Sequence, residues 1–129
     1  MSKGALDKPC YSTFLAGADL TEGTAVKFGA GANVNELTVV PVTAAADFVL
    51  GIVYGDDRKN GEEVTIYREG GEAHVLAGGA IAKGDPLKIN AAGRVIKATS
   101  DDKGVIGYAM DAGAANGDWV RFYFTRFIV

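Results

Sequence analysis

The stretch NGEEVTIY, residues 60–67, returns as NGDWVRFY at residues 116–123, an offset of 56. The same offset pairs VVPVTAAADFVLG at 39–51 with VIKATSDDKGVIG at 95–107. Upstream, LTEGTAVKF at 20–28 matches IAKGDPLKI at 81–89 with an offset of 61, because the turn that follows is five residues longer in the first copy. The chain is therefore an internal duplication, with copies at about residues 17–69 and 78–125.

The repeated segments have the pattern of β-strands. In the last strand, Val120, Phe122 and Phe124 alternate with Trp119, Arg121 and Tyr123, so each set shares one face. Large side chains on both faces predict that one face meets the core and the other meets a neighbour. Asn-Gly pairs precede two of the strands, and Asn-Gly readily adopts the positive φ of a tight turn.

The only helix-compatible segment is TAAADF at 43–48, which allows one or two turns at most because Pro41 and Gly51 bracket it. We therefore expect an all-β fold built from two repeated β units, with at most one short helix. The length of 129 residues fits one domain.

Residues 1–16, MSKGALDKPCYSTFLA, lie outside these repeated segments. They could be a frayed terminus, but Leu6, Tyr11, Phe14 and Leu15 are more apolar than a mere tail requires. We favour an extended N-terminal arm that orders by adding to a partner's sheet edge. The expected organisation is an arm over 1–16 and a single β domain over 17–129.

Composition excludes several classes of protein. Net charge is −3, and the Lys and Arg residues form no basic stripe, which argues against nucleic acid as a direct partner. No apolar run approaches the length of a membrane span, and Met1 to Ala16 lacks the apolar core of a signal peptide. The single cysteine, Cys10, cannot form an internal disulfide and fits a reducing compartment. We expect synthesis in a cytoplasm.

No constellation of residues predicts chemistry. His74 is the only histidine, and the chain offers too few Cys and His residues for a zinc site around it. We interpret it as riding on the strand that joins the two repeats. In GAIAKGDP, Asp85 stands where a phosphate loop needs lysine, and the acidic residues come in adjacent pairs that point to opposite faces. We expect no enzyme, no cofactor and no metal.

The body of the chain resembles the capsid cement, or head decoration, family of tailed bacteriophages. The resemblance is carried by AGADLTEGTAVKFG (16–29), DFVLGIVYGD (47–56), GEEVTIYREGGEAHVLAGGAIAKGDPLKIN (61–90) and KGVIGYAMDAGAANGDWVRFYF (103–124). It implies a compact β-tulip or β-clip-like barrel, and a virion protein seated on the outer surface of the mature capsid. It also implies homotrimers, although some relatives are dimers or monomers, and an arm that contacts the major capsid protein.

Two sets of residues follow as site predictions from their apolar character. The capsid-binding arm would use Leu6, Pro9, Tyr11 and Phe14, and self-association would use Trp119, Tyr123 and Phe127. The alternative function is a small-ligand, sugar-type binding β-clip domain, which would require a concave site with convergent polar groups.

Overall fold

The computed structural model describes residues 10–29, 38–99, 104–113 and 115–125. These residues form ten strands and no helix, so the predicted all-β fold is confirmed. The strands are β1 (Cys10–Ala16), β2 (Ala25–Phe28), β3 (Thr38–Pro41), β4 (Gly51–Tyr54), β5 (Glu63–Arg68), β6 (Gly71–Leu76), β7 (Pro86–Ile89), β8 (Val95–Lys97), β9 (Gly107–Ala109) and β10 (Trp119–Phe124).

The ten strands divide into two units of five. In the first unit, the strands close a barrel in the order β1-β3-β2-β4-β5. In the second unit, the order is β6-β10-β9-β7-β8. The first barrel is closed by parallel pairing of β1 with β3, which includes Ala16 opposite Val39. A parallel bridge from Ala77 to Val95 joins the ends of the second sheet at the equivalent position.

The second unit repeats the first strand by strand. β6 corresponds to β1 and β7 to β2 at an offset of 61, and β8, β9 and β10 correspond to β3, β4 and β5 at an offset of 56. Single hydrogen bonds repeat as well. The Gly17 N–H donates to the Val39 carbonyl at 2.8 Å, and the Gly78 N–H donates to the Val95 carbonyl at 2.7 Å. The duplication therefore begins at β1, earlier than the repeat in the sequence indicated.

This result corrects the C-terminal boundary of the predicted arm. Residues 10–16 are β1, which pairs antiparallel with β5 from Cys10 opposite Arg68 to Leu15 opposite Glu63. Phe14 packs against the barrel core and Ala16 is part of it. Burial of these alternate side chains, together with two rows of backbone hydrogen bonds, holds the segment in its own barrel. Leu6 and Pro9 lie outside the described residues.

The segment that allowed a short helix, residues 43–48, is a turn. The Asp47 carboxylate accepts hydrogen bonds from the backbone N–H groups of Thr43 and Ala44, both at 3.0 Å, and from the Lys27 ammonium at 2.8 Å. The hydrogen bond from Lys27, followed by those from the backbone, lowers the pKa of Asp47 to about 2. Because the side chain satisfies the N–H groups, the turn needs no helical continuation.

The two interiors contain matching sets of buried apolar side chains. In the first unit these are Ala16, Leu20, Val26, Val39, Leu50, Val53, Val64 and Ile66. Their counterparts in the second unit are Ala77, Ile81, Leu87, Val95, Ile106, Ala109, Val120 and Phe122, all of them in one larger cluster. The duplication has therefore preserved the core positions while changing the side chains that fill them.

The larger cluster also joins the two units. Ala25, Ile52 and Tyr67 point outward from the first barrel, yet they are buried in the core of the second unit. The Ala25 N–H donates to the Gly93 carbonyl, and the Leu76 N–H donates to the Gly23 carbonyl, each at 2.8 Å. Only Glu69 and Gly70 separate β5 from β6. A continuous core and a two-residue connection hold the units together.

Candidate functional site

A groove runs along the junction between the two units, and we call it the seam groove. It consists of two adjoining cavities of about 290 and 460 Å³, which share Tyr54, Tyr67 and His74. The first cavity is also lined by Glu22, Val53 and Trp119, and the second by Tyr11, Glu72, Ala73 and Arg121. Strands of both units thus contribute to one aromatic surface.

Three tyrosines form the wall that the first unit contributes. The ring centroids lie 4.8 Å apart for Tyr11 and Tyr54, 5.0 Å for Tyr54 and Tyr67, and 5.4 Å for Tyr11 and Tyr67. His74 of β6 meets Tyr67 edge-on at 6.3 Å. Tyr67 is buried, whereas Tyr11 and Tyr54 are exposed. The mutual contacts hold the two exposed rings in place at the surface.

Two phenol groups of this wall, those of Tyr67 and Tyr11, are weaker acids than a free tyrosine. Burial, together with smaller contributions from the charges of Tyr11, Tyr54 and Glu22, raises the pKa of Tyr67 to about 12. Burial also raises the pKa of Tyr11, with a smaller contribution from its hydrogen bond to Tyr54. Tyr67 and Tyr11 therefore stay protonated at neutral pH, where they act as neutral rings and hydrogen-bonding groups rather than as general bases.

Trp119, the only tryptophan of the chain, also lines the first cavity of the groove. Its ring lies over Gly23, where a Cβ atom would stand 2.6 Å from Trp119 Cη2. Gly23 also has a φ of +81°, a conformation that favours glycine. The glycine thus leaves room for the indole, which remains half exposed toward the groove.

The outer side of β10 and β9 forms a second exposed surface, which we call the β10 face: Trp119, Arg121, Tyr123 and Tyr108. Tyr123 and Tyr108 are register partners on adjacent strands. Arg121 lies 3.4 Å from Asp111 and 3.6 Å from Glu72, so carboxylates on both sides compensate its charge. The alternation predicted for this strand is confirmed, since Val120, Phe122 and Phe124 are buried.

Phe14 and Phe28 form a smaller aromatic contact at the first barrel, with ring centroids 6.3 Å apart. Phe28 is exposed, whereas its counterpart in the second unit, Ile89, is buried. Phe28 lies on the same face of β2 as Val26, which is buried, but the Phe28 ring itself is exposed. Phe14 shares β1 with Tyr11, but neither Phe14 nor Phe28 lines the seam groove.

The predicted site residues fall in several places. Tyr11 lies in the seam groove, Phe14 is half-buried against the core of the first barrel, and Trp119 and Tyr123 lie on the β10 face. Phe127, like Leu6 and Pro9, is outside the described residues. His74 is exposed on β6, which is the first strand of the second unit rather than a linker between repeats.

The groove residues Tyr54, Tyr67 and Glu22 were not predicted from sequence, although both tyrosines occupy outward positions of strands. Within the part of the chain that the structure describes, no three His, Cys, Asp or Glu residues come together as a metal site would require. Nor do the described residues include a helix long and apolar enough to cross a membrane.

These features define an all-β protein with two aromatic surfaces, the seam groove and the β10 face. Residues 11–124 match the family model of the phage cement protein, and the chain belongs to that family. It is accordingly a structural protein of the phage capsid and virion, and its family is not a class of enzymes. The match runs from β1 to β10, so it includes both units.

The fold is similar to that of a crystal structure described as the head fiber gp8.5 N base in bacteriophage phi29. The TM-score is 0.68 at 20% sequence identity, with 95% of this chain and 98% of that chain covered. At this identity the likeness concerns the fold. None of the curated proteins matches the sequence.

Proposed function

We propose that the protein binds the outer surface of the mature capsid, across the joints between capsid subunits, and stabilises the shell against the pressure of the packaged DNA. The observation that carries this proposal is the exposure of Tyr11 and Tyr54 at the seam groove of a cement-family chain. Tyr, Trp and Arg are the residue types enriched at protein interfaces and at their energetic hot spots. A protein that binds only the expanded shell stabilises it by mass action.

The fold suits this role because a cement protein must resist deformation. Two units share a core and are joined by two residues, so a load on one unit is transmitted to the other through packed side chains. Many copies on one shell would make modest contact energies count collectively.

Self-association is the second part of the proposal, and the duplication supports it. On the first unit, Ala25, Ile52 and Tyr67 are buried beneath the second unit. Their counterparts on the second unit are Pro86, Tyr108 and Tyr123, of which Tyr108 is exposed and the other two are half-buried. A second copy of the chain would cover this face by repeating the contact that the first unit makes internally. A head-to-tail contact generates a ring when its rotation closes, and the ring that we propose is a homotrimer.

The N-terminal residues are proposed to contact the major capsid protein. With residues 10–16 assigned to β1, the arm is confined to residues 1–9, including Leu6 and Pro9. It would join β1 near Tyr11, which is exposed at the end of the seam groove. Phe127, which follows β10, remains a proposed self-association residue.

The proposal is tested by mixing the purified chain with expanded capsids that lack it and measuring bound protein by sedimentation. We expect saturable binding and slower release of DNA on heating. Unexpanded capsids serve as the control, and equal binding to both forms, or binding that leaves DNA release unchanged, would contradict the stabilising role.

A further inference from the structure

We propose that the seam groove is a binding site for a cationic side chain, an arginine or a lysine, presented by a partner protein. The site is the smaller cavity of about 290 Å³, which is lined by Tyr54, Tyr67, Trp119, Val53, His74 and Glu22. Under the proposed function the partner is the capsid shell, so the identity of the partner rests on that proposal.

The aromatic composition of the cavity matches this ligand. Cations bind over the faces of Trp and Tyr rings, and cages of several such rings recognise ammonium and guanidinium groups. Tyr54 and Tyr67 are held 5.0 Å apart at 70° to each other, and the Trp119 ring is fixed over Gly23. Rings that are already ordered lose little conformational freedom when a ligand binds.

The charge of the cavity favours a cation as well. Among the described residues, no Lys or Arg forms an ion pair with the Glu22 carboxylate. Arg121, which lines the second cavity of the groove, is compensated by Glu72 and Asp111. The influence of Glu22 on the pKa of Tyr67 shows that its negative charge reaches the aromatic wall.

The second unit shows that the fold does not require these residues. At the position of Glu22 the second unit has Lys83, and at the position of Tyr54 it has Met110. The same strands and hydrogen bonds form there with the charge reversed and the ring absent. The repeated fold therefore does not require Glu at the first position or Tyr at the second. A binding role for Glu22 and Tyr54 accounts for their occurrence together at the seam.

The test uses the full chain and the fluorescence of Trp119, its only tryptophan. N-acetyl-argininamide and N-acetyl-lysinamide are titrated separately, with N-acetyl-citrullinamide as the uncharged isostere of the first. We expect a saturable change in emission with the cations, and binding of the citrulline derivative weaker by about fivefold or more. Equal binding of the uncharged derivative, or of a neutral monosaccharide, would overturn the proposal.

Two variants locate the site. Glu22→Gln should weaken binding of N-acetyl-argininamide about two- to fivefold, and Tyr54→Ala by a similar factor or more. Glu63→Gln is the matched control, because Glu63 is an exposed carboxylate on β5, outside the groove lining, at the position equivalent to Trp119. Equal effects of Glu22→Gln and Glu63→Gln would place the cation elsewhere and overturn the assignment.

Failure of this inference is separable from failure of the proposed function. Capsid binding without any cation binding would refute the groove assignment and leave the cement role standing. Cation binding by a chain that does not sediment with expanded capsids would support the groove and refute the capsid role.

Discussion

Tyr67 and Tyr123 occupy the same position in the two units, yet Tyr67 is buried beneath the second unit while Tyr123 borders solvent. The outer face of the first unit, which carries Tyr67, packs against the second unit. The equivalent face of the second unit, which carries Tyr123, is not covered by another part of the described chain. The difference between these two tyrosines leads to the first prediction.

Replacement of Tyr123 with alanine should weaken self-association while leaving the fold intact. Because Tyr123 is only half-buried, we expect a loss of unfolding free energy of no more than about 1 kcal/mol. The mass of the wild-type chain and the variant is compared by light scattering over a range of concentrations. Tyr67→Ala is the contrasting variant, and it should cost roughly 3 kcal/mol because it empties a site in the core. An unchanged mass distribution for Tyr123→Ala would contradict this assignment.

Gly51 and Gly107 should both be intolerant of alanine, since a Cβ atom would collide with the carbonyl oxygen of Tyr67 or of Tyr123, respectively. We expect each substitution to lower the free energy of unfolding by roughly 1–3 kcal/mol through overpacking against backbone. Chemical denaturation measures the change. Gly79→Ala is the control, because the space around Gly79 is open and its φ is not positive. A neutral result at Gly51 or Gly107 would show that the strands can separate without cost.

Asp47 should make stability depend on pH in the acid range. Its pKa in the folded chain is about 2, below the usual value near 4 for Asp. A depressed pKa contributes stability that is present above the usual value and is lost as pH falls through the folded value. The stability difference between wild type and Asp47→Asn should therefore shrink between about pH 4 and pH 2. Melting temperatures measured at closely spaced pH values check this, and a constant difference across the range would refute it.

Removal of residues 2–9 should leave the fold unchanged but weaken binding to expanded capsids. These residues precede β1, and the described barrel begins at Cys10. Removal of residues 2–15 should instead unfold the first unit, because it deletes the strand that pairs with both β3 and β5. Circular dichroism reports the fold and sedimentation reports the binding. Wild-type affinity after removal of residues 2–9 would refute the proposed arm contact.

Much of the fold was predictable from sequence because the duplication repeats local features. The Asn-Gly turns before β5 and β10 and the alternation of Val120, Phe122 and Phe124 depend only on neighbouring residues, and the structure contains both strands. β1 was missed because Cys10, Ser12 and Thr13 break the apolar alternation. The signal that identifies it is the motif LAG, at 15–17 and again at 76–78, which extends the repeat upstream.

The seam groove was not predictable in the same way. Tyr11, Tyr54, His74 and Trp119 come from four strands, and they meet only because the second unit packs on one outer face of the first. No spacing along the chain encodes that packing. The placement of Trp119 depends further on Gly23, 96 positions away in sequence, whose missing side chain gives the indole its space.

The two-residue connection at Glu69 and Gly70 has a consequence for how this protein could change over time. When two identical subunits associate, every substitution appears in both of them, so neither can diverge from the other. Fusion in one chain removes that restriction, because each half is encoded separately. Glu22 opposite Lys83 and Tyr54 opposite Met110 are differences that no pair of identical subunits could carry. The covalent link thus allows one half to acquire a specialised surface while the other keeps the ancestral scaffold.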